Sequence, residues 1–130
     1  CIGETDRSPR GADAFLGSQL EAAFRGLPPG DWPRVIVAYE PVWAIGKDRP
    51  ADPEYLTQRV AAIRAWLEQH NPRHAKEIKL LYGGSVSLPF IPEIVQIPGV
   101  QGLFIGRAAL DPRNFLAMAE RAWDAFHAAN

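Results

Sequence analysis

The chain has 130 residues with 47 % hydrophobic and 22 % charged side chains, which suits one globular domain with a real core. A net charge of −1 gives no basic field for nucleic acid or an anionic membrane, and no apolar run approaches the roughly 20 residues of a membrane helix. A single cysteine excludes an internal disulfide and fits a reducing cytoplasm, and the start Cys1-Ile2-Gly3-Glu4 has neither an initiator Met nor the design of a signal peptide.

Residues 2–6 read as the end of a strand entering a polar loop. Helical spacing of Phe15, Leu16, Leu20, Ala23 and Phe24 predicts a helix over 14–24, broken by Gly26-Leu27-Pro28-Pro29-Gly30. Val35 to Tyr39 is a nearly continuous apolar run, the pattern of a parallel strand covered on both faces. Asp52-Pro53 caps and opens a helix that runs to about His70, with Leu56, Val60, Ile63 and Leu67 on one stripe. Asn71-Pro72 ends it. Ile78 to Tyr82 is the next strand, and Leu88 to Ile97 holds only a short helix between its prolines. Gly102 to Ile105 is another strand. Asp111-Pro112 starts a last helix through Phe115, Met118, Ala119, Ala122 and Phe126. The alternation predicts α/β structure of about four βα units with parallel strands, in one domain over 1–130. Trp32, Trp66 and Trp123 read as packing anchors, and Cys1 as a small buried hydrophobe. The three histidines lack metal-ligand spacing with a matching carboxylate, so no metal site is expected; there is no Walker phosphate loop and no Gly-x-Gly-x-x-Gly after a strand, and no organic cofactor is expected.

Three segments carry chemistry. In Tyr39-Glu40-Pro41-Val42-Trp43-Ala44-Ile45-Gly46 a strand delivers a carboxylate to its end, and a proline without an N–H stops the ladder. An isolated glutamate at a strand end is commonly just solvated. Under a loop of small apolar residues it loses water, gains basicity and can take a proton from carbon. The second segment, Tyr82-Gly83-Gly84-Ser85-Val86, is a strand-to-turn junction whose bare N–H groups can face an anion, although most such turns are only turns. In the third, Gly106-Arg107, glycine allows a positive φ and close backbone approach. The Arg107 guanidinium either reaches a phosphate or turns away into a salt bridge.

Together these segments resemble the triosephosphate isomerase family over essentially the whole chain, from the fifth strand of a (β/α)₈ barrel to its last helix. The resemblance implies the C-terminal half of that barrel. It makes Glu40 the base that moves a proton between adjacent carbons of a triose phosphate, a case known for its lid closure. Gly46, Ser85, Gly106 and Arg107 then hold the phosphate, and Pro41, Val42, Trp43, Ala44 and Ile45 form the lid. Tyr82 and Ser85 latch the closed lid, while Glu4 braces Trp43 in the open one. Two departures stand out. The lid tip, Lys47-Asp48-Arg49-Pro50, carries charges and a proline, and reads as solvated. Arg107 replaces the second of two glycines, which brings a four-carbon ketose phosphate (an erythrulose phosphate) into view as an alternative substrate. The resemblance further implies a small phosphorylated ketose or aldose as partner and a homodimeric parent protein.

The asparagine, lysine and electrophilic histidine of the family's first four strands have no counterpart here, and four βα units cannot close the barrel alone. The chain therefore reads as a fragment of an isomerase, inactive alone. The alternatives are a non-catalytic half-barrel that pairs with another chain, and a small open phosphate-binding module.

Overall fold

The computed structural model describes residues 1–6 and 11–128. Three strands, Ile36–Tyr39 (β1), Lys79–Gly83 (β2) and Gly102–Phe104 (β3), form one parallel sheet in the order β1-β2-β3. The register sets Tyr39 beside Tyr82 and Gly83 beside Phe104, so the C-terminal ends of all three strands lie along one rim. Among the described residues four α-helices accompany them: Ala12–Phe24 (α1), Pro53–His70 (α2), Ile91–Val95 (α3) and Pro112–Ala128 (α4).

The strand end expected over residues 2–6 contracts to a single parallel bridge from Ile2 to Tyr39. Ile2 N donates to Ala38 O at 2.9 Å, and Glu40 N donates to Ile2 O at 2.8 Å. On the opposite edge of this short segment, Gln19 of α1 takes the place of a neighbouring strand. Gly3 N donates to Gln19 Oε1 at 2.9 Å, and Gln19 Nε2 donates to Gly3 O at 3.4 Å. Gly3 also crosses the Glu40 backbone so closely that a Cβ would lie 1.8 Å from Glu40 O. Cys1, expected inside, is exposed beyond this bridge.

α1 buries Ala12, Leu16, Leu20 and Phe24 at four-residue spacing. Phe15 and Ala23 lie on the exposed side, so the buried stripe is narrower than the sequence suggests. α2 begins as predicted, with Asp52 Oδ1 accepting from Glu54 N at 3.0 Å and Pro53 at the first helical position. Its Leu56, Val60, Ile63 and Leu67 are buried. The break after α1 is itself ordered, as a 3₁₀ helix over Pro29–Arg34 that buries Trp32. Trp32 stands 4.2 Å from Phe24 and stacks on Trp66 at 6.2 Å between ring centroids, tying this turn to α1 and α2. Trp123 does not act as an anchor, being 64 % exposed on α4. Phe115, Leu116 and Ala119 of α4 are exposed too, and only Met118 and Ala125 are buried. α4 packs against α3 and the 3₁₀ turns over Leu88–Phe90 and Arg107–Ala109.

One polar side chain ties α2 to the entrances of β2 and β3. Arg64 donates to Ile78 O at 2.8 Å, to Gly99 O at 2.8 Å and to Gln101 Oε1 at 2.7 Å. Burial holds the Arg64 pKa below its usual value. Arg64→Met fills similar volume but removes the donor to the Ile78 and Gly99 carbonyls, while Gln101 Oε1 keeps its bond from Leu80 N at 3.2 Å. The substitution is expected to lower unfolding stability by about 2–4 kcal/mol in equilibrium urea melts. An unchanged midpoint would remove Arg64 from this role.

Candidate active site at the strand ends

Glu40 follows directly on β1. Its N–H is held by Ile2 O, and Pro41 cannot extend the ladder. The half-buried side chain crosses the end of β2. A Cβ on Gly83 would come within 2.8 Å of Glu40 Oε2, 3.3 Å of Glu40 Cβ and 3.1 Å of Phe104 Cδ1. Close approach, rather than a special φ, therefore calls for glycine at position 83.

The segment after Glu40 forms a 3₁₀ turn over Val42–Ala44 and is fastened at several points. Buried Glu4 accepts three hydrogen bonds on Oε1: from Tyr39 OH at 2.9 Å, Trp43 Nε1 at 3.2 Å and Tyr55 OH at 2.6 Å. Val42 N donates to Glu4 O at 2.9 Å. Farther along, Ser85 Oγ accepts from Lys47 N at 2.7 Å and donates to Ala44 O at 2.8 Å. Ala51 N donates to Tyr82 OH at 3.1 Å. The Arg49 guanidinium lies over the Phe90 ring at 4.9 Å, so this tip residue is docked instead of merely solvated.

The Glu4–Trp43 contact exists, but in different company from that expected. It coexists with the Tyr82 and Ser85 contacts, so brace and latch act on one arrangement of the segment. They are compatible because they grip different stretches, residues 42–43 in one case and 44–51 in the other. Tyr39 and Tyr55 as partners of Glu4 were not read from the sequence. Tyr55 lies 51 positions from Glu4 and carries no local sign of the pairing. Burial, with the Glu4 hydrogen bond and charge, pushes the Tyr55 phenol up to about 12 and Tyr39 well above its usual value. Burial raises Tyr82 to about 12, against the opposing effect of the Ala51 N–H. All three phenols keep their protons at neutral pH, and Tyr39 and Tyr55 remain donors to the carboxylate.

Between this segment, the Gly84–Ser87 turn and the end of β3 lies a pocket of about 290 Å³. Glu40, Gly46, Ser85, Gly106 and Arg107 all line it, with Ile45, Lys47 and Asp48 on the loop side. Pro41, Val42, Trp43, Ala44, Tyr82 and Glu4 do not line it. Gly46 has φ +69° and Gly84 φ +125°, conformations that favour glycine. Gly106 does not: its φ is −92°, and an added Cβ would meet nothing within 4 Å. The left-handed conformation expected there is therefore unused. Arg107 Nη2 lies 3.8 Å from where a Cβ on Gly46 would stand, and Arg107 makes no ion pair with any described residue. Its guanidinium faces the pocket rather than a surface carboxylate. Among the described residues, the backbone N–H groups of Gly46, Ser85 and Arg107 donate to no protein acceptor. The pocket thus combines the Glu40 carboxylate at the strand end, unpartnered N–H donors and the Arg107 guanidinium, with Lys47 and Asp48 at the loop side, a set suited to an anionic ester with an acidic C–H.

The sequence model of the triosephosphate isomerase family matches residues 1–122. The chain belongs to the triosephosphate isomerase family. Its α/β sheet of parallel strands is accordingly a partial barrel of that family. Among curated relatives, the triosephosphate isomerase of Mycoplasma pneumoniae is 38 % identical over 92 % of this chain and 48 % of its own length. That of Symbiobacterium thermophilum is 39 % identical over 96 % of this chain and 50 % of its own. The Pseudomonas paraeruginosa triosephosphate isomerase is 40 % identical over 94 % and 49 %, respectively. The chain thus spans about half the length of the curated triosephosphate isomerases it matches. Among the described residues, no helix is long and apolar enough to cross a membrane.

Proposed function

We propose that this chain is the base-bearing, phosphate-holding half of an isomerase that interconverts dihydroxyacetone phosphate and glyceraldehyde 3-phosphate. One observation carries the reading. The Glu40 carboxylate and three backbone N–H groups without protein acceptors, those of Gly46, Ser85 and Arg107, belong to a single pocket at the strand ends. Ser85 and the backbone of Gly46 and Gly106-Arg107 hold the phosphate. Glu40 takes the proton from the hydroxymethyl carbon beside the carbonyl, leaving an enediolate. It returns the proton to the neighbouring carbon, which becomes the stereocentre of the aldose, while the hydroxyl proton passes from the first oxygen to the former carbonyl oxygen. No atom is gained or lost, and no step is assigned to a metal or an organic cofactor. The segment 41–51 covers the reacting carbons and keeps water from the enediolate, limiting loss of phosphate.

Residues 1–130 form one partial barrel domain in this reading. The group that polarises the carbonyl comes from polypeptide outside them. The parent protein is a homodimer working in the cytoplasm. The test is a coupled isomerase assay on two preparations. The complete protein is expected to turn over both triose phosphates, and the 130-residue chain alone is expected to show no activity. Turnover by the chain alone would overturn the assignment of the electrophile to another segment. No turnover by the complete protein would favour the non-catalytic half-barrel.

A further inference from the structure

Arg107 stands where the family pattern has a second glycine, so it supplies a side chain that a backbone-only phosphate grip lacks. It sits immediately past the end of β3, at the start of a short 3₁₀ turn over Arg107–Ala109. From there its guanidinium reaches across the pocket to the opposite wall, where Nη2 comes within 3.8 Å of the position of a Gly46 Cβ. Gly46 belongs to the covering segment, which Ser85 and Tyr82 fasten on either side of it. The charged groups sharing the pocket are Glu40, Lys47 and Asp48, and neither carboxylate forms an ion pair with Arg107. A guanidinium without a carboxylate partner, beside unpartnered N–H groups, is matched to a phosphate that accepts two parallel hydrogen bonds.

We infer that Arg107 is a phosphate-binding residue that spans the pocket from the end of β3 to Gly46, so that substrate phosphate joins the floor of the site to its cover through a side-chain cation. The inference rests on the phosphate-site reading above and adds a charge-assisted ligand to it. Two consequences follow. Affinity for phosphate monoesters depends on the dianion and falls with ionic strength more steeply than a grip made of neutral N–H groups alone. Selection by Arg107 acts on the phosphate rather than on carbon-chain length.

The test uses the complete protein and Arg107→Met, Arg107→Gly and Arg107→Lys, with inorganic phosphate as the binding probe and dihydroxyacetone phosphate as the substrate. Because Arg107 is exposed, the fold is expected to survive, and unchanged circular dichroism checks this. For Arg107→Met and Arg107→Gly, the phosphate Kd and the substrate KM are expected to rise about 10- to 100-fold, the effect of one or two charge-assisted hydrogen bonds. The kcat is expected to stay within about fivefold, and Arg107→Lys to recover part of the affinity. The salt dependence of the phosphate Kd flattens in Arg107→Met. An unchanged phosphate Kd would overturn the inference. So would an altered triose-to-tetrose phosphate preference with phosphate affinity intact, since Arg107 would then be a wall and not a ligand. If the complete protein lacks isomerase activity yet loses phosphate affinity in Arg107→Met, the reaction assignment fails while the Arg107 site stands.

Discussion

Glu40→Gln in the complete protein is expected to lower kcat by about 10³- to 10⁴-fold while changing KM less than about threefold. The amide keeps the size and polarity of the side chain but cannot accept a proton from carbon. Glu40→Asp keeps the charge and withdraws the oxygens by one methylene. An ångström-scale retreat from the reacting carbon is expected to cost about 10²-fold in kcat. The order Glu, then Asp, then Gln separates a base from a carboxylate that merely orients the substrate, for which Gln would do better than Asp. Steady-state kinetics with dihydroxyacetone phosphate reads the order directly. A Glu40→Gln enzyme with undiminished kcat would exclude this side chain as the base.

Gly83→Ala is expected to lower kcat by about 10²-fold by moving the Glu40 carboxylate, although position 83 never touches the reacting carbons. The added methyl would come within 2.8 Å of Glu40 Oε2 and 3.3 Å of Glu40 Cβ, with Phe104 Cδ1 at 3.1 Å on the other side. The carboxylate end can swing aside, and that displacement is the predicted injury. Glu40 Cβ and the Phe104 ring can yield only a little, so a stability loss of about 1–3 kcal/mol is expected as well. The proposed phosphate site lies elsewhere, at Gly46, Ser85 and Gly106, so the phosphate Kd is expected to hold steady. Lost phosphate affinity together with lost turnover would mean that the strand end had rearranged, and Gly83 would not be a positioning residue for Glu40.

The parts of the structure that depend on local pattern are legible in the sequence. The apolar run before Glu40 became β1, the Asp52-Pro53 cap opened α2, and alternating strands and helices implied parallel order. The parts that failed depend on neighbours distant in the chain. Ile2 makes only a single bridge, and the next backbone unit, Gly3, is held by Gln19, 16 positions away. Phe115, Leu116 and Trp123 have apolar side chains at helical spacing, but spacing says nothing about whether a neighbouring element covers them. Glu40, Ser85 and Gly106 stand just past strand ends, where three parallel strands bring separate segments to one rim, and Gly46 reaches the same pocket from the covering segment. The fastening of the cover was only half legible. Tyr82 and Ser85 lie inside a recognisable turn, whereas the Tyr55–Glu4 hydrogen bond and the stacking of Arg49 on Phe90 join residues with no shared motif. The negative φ of Gly106 shows the limit of reading conformation from composition: glycine permits a left-handed turn without requiring one.

Proton transfer by Glu40 is the claim on which the functional reading stands, and solvent exchange at the substrate tests it most directly. Dihydroxyacetone phosphate is incubated in D₂O with the complete protein or its Glu40→Gln variant, and the hydroxymethyl proton signal beside the carbonyl is followed by NMR. The wild-type protein is expected to replace that proton with deuterium as it turns over, and Glu40→Gln to slow the exchange by about 10³-fold or more. Exchange at an undiminished rate in Glu40→Gln would contradict it.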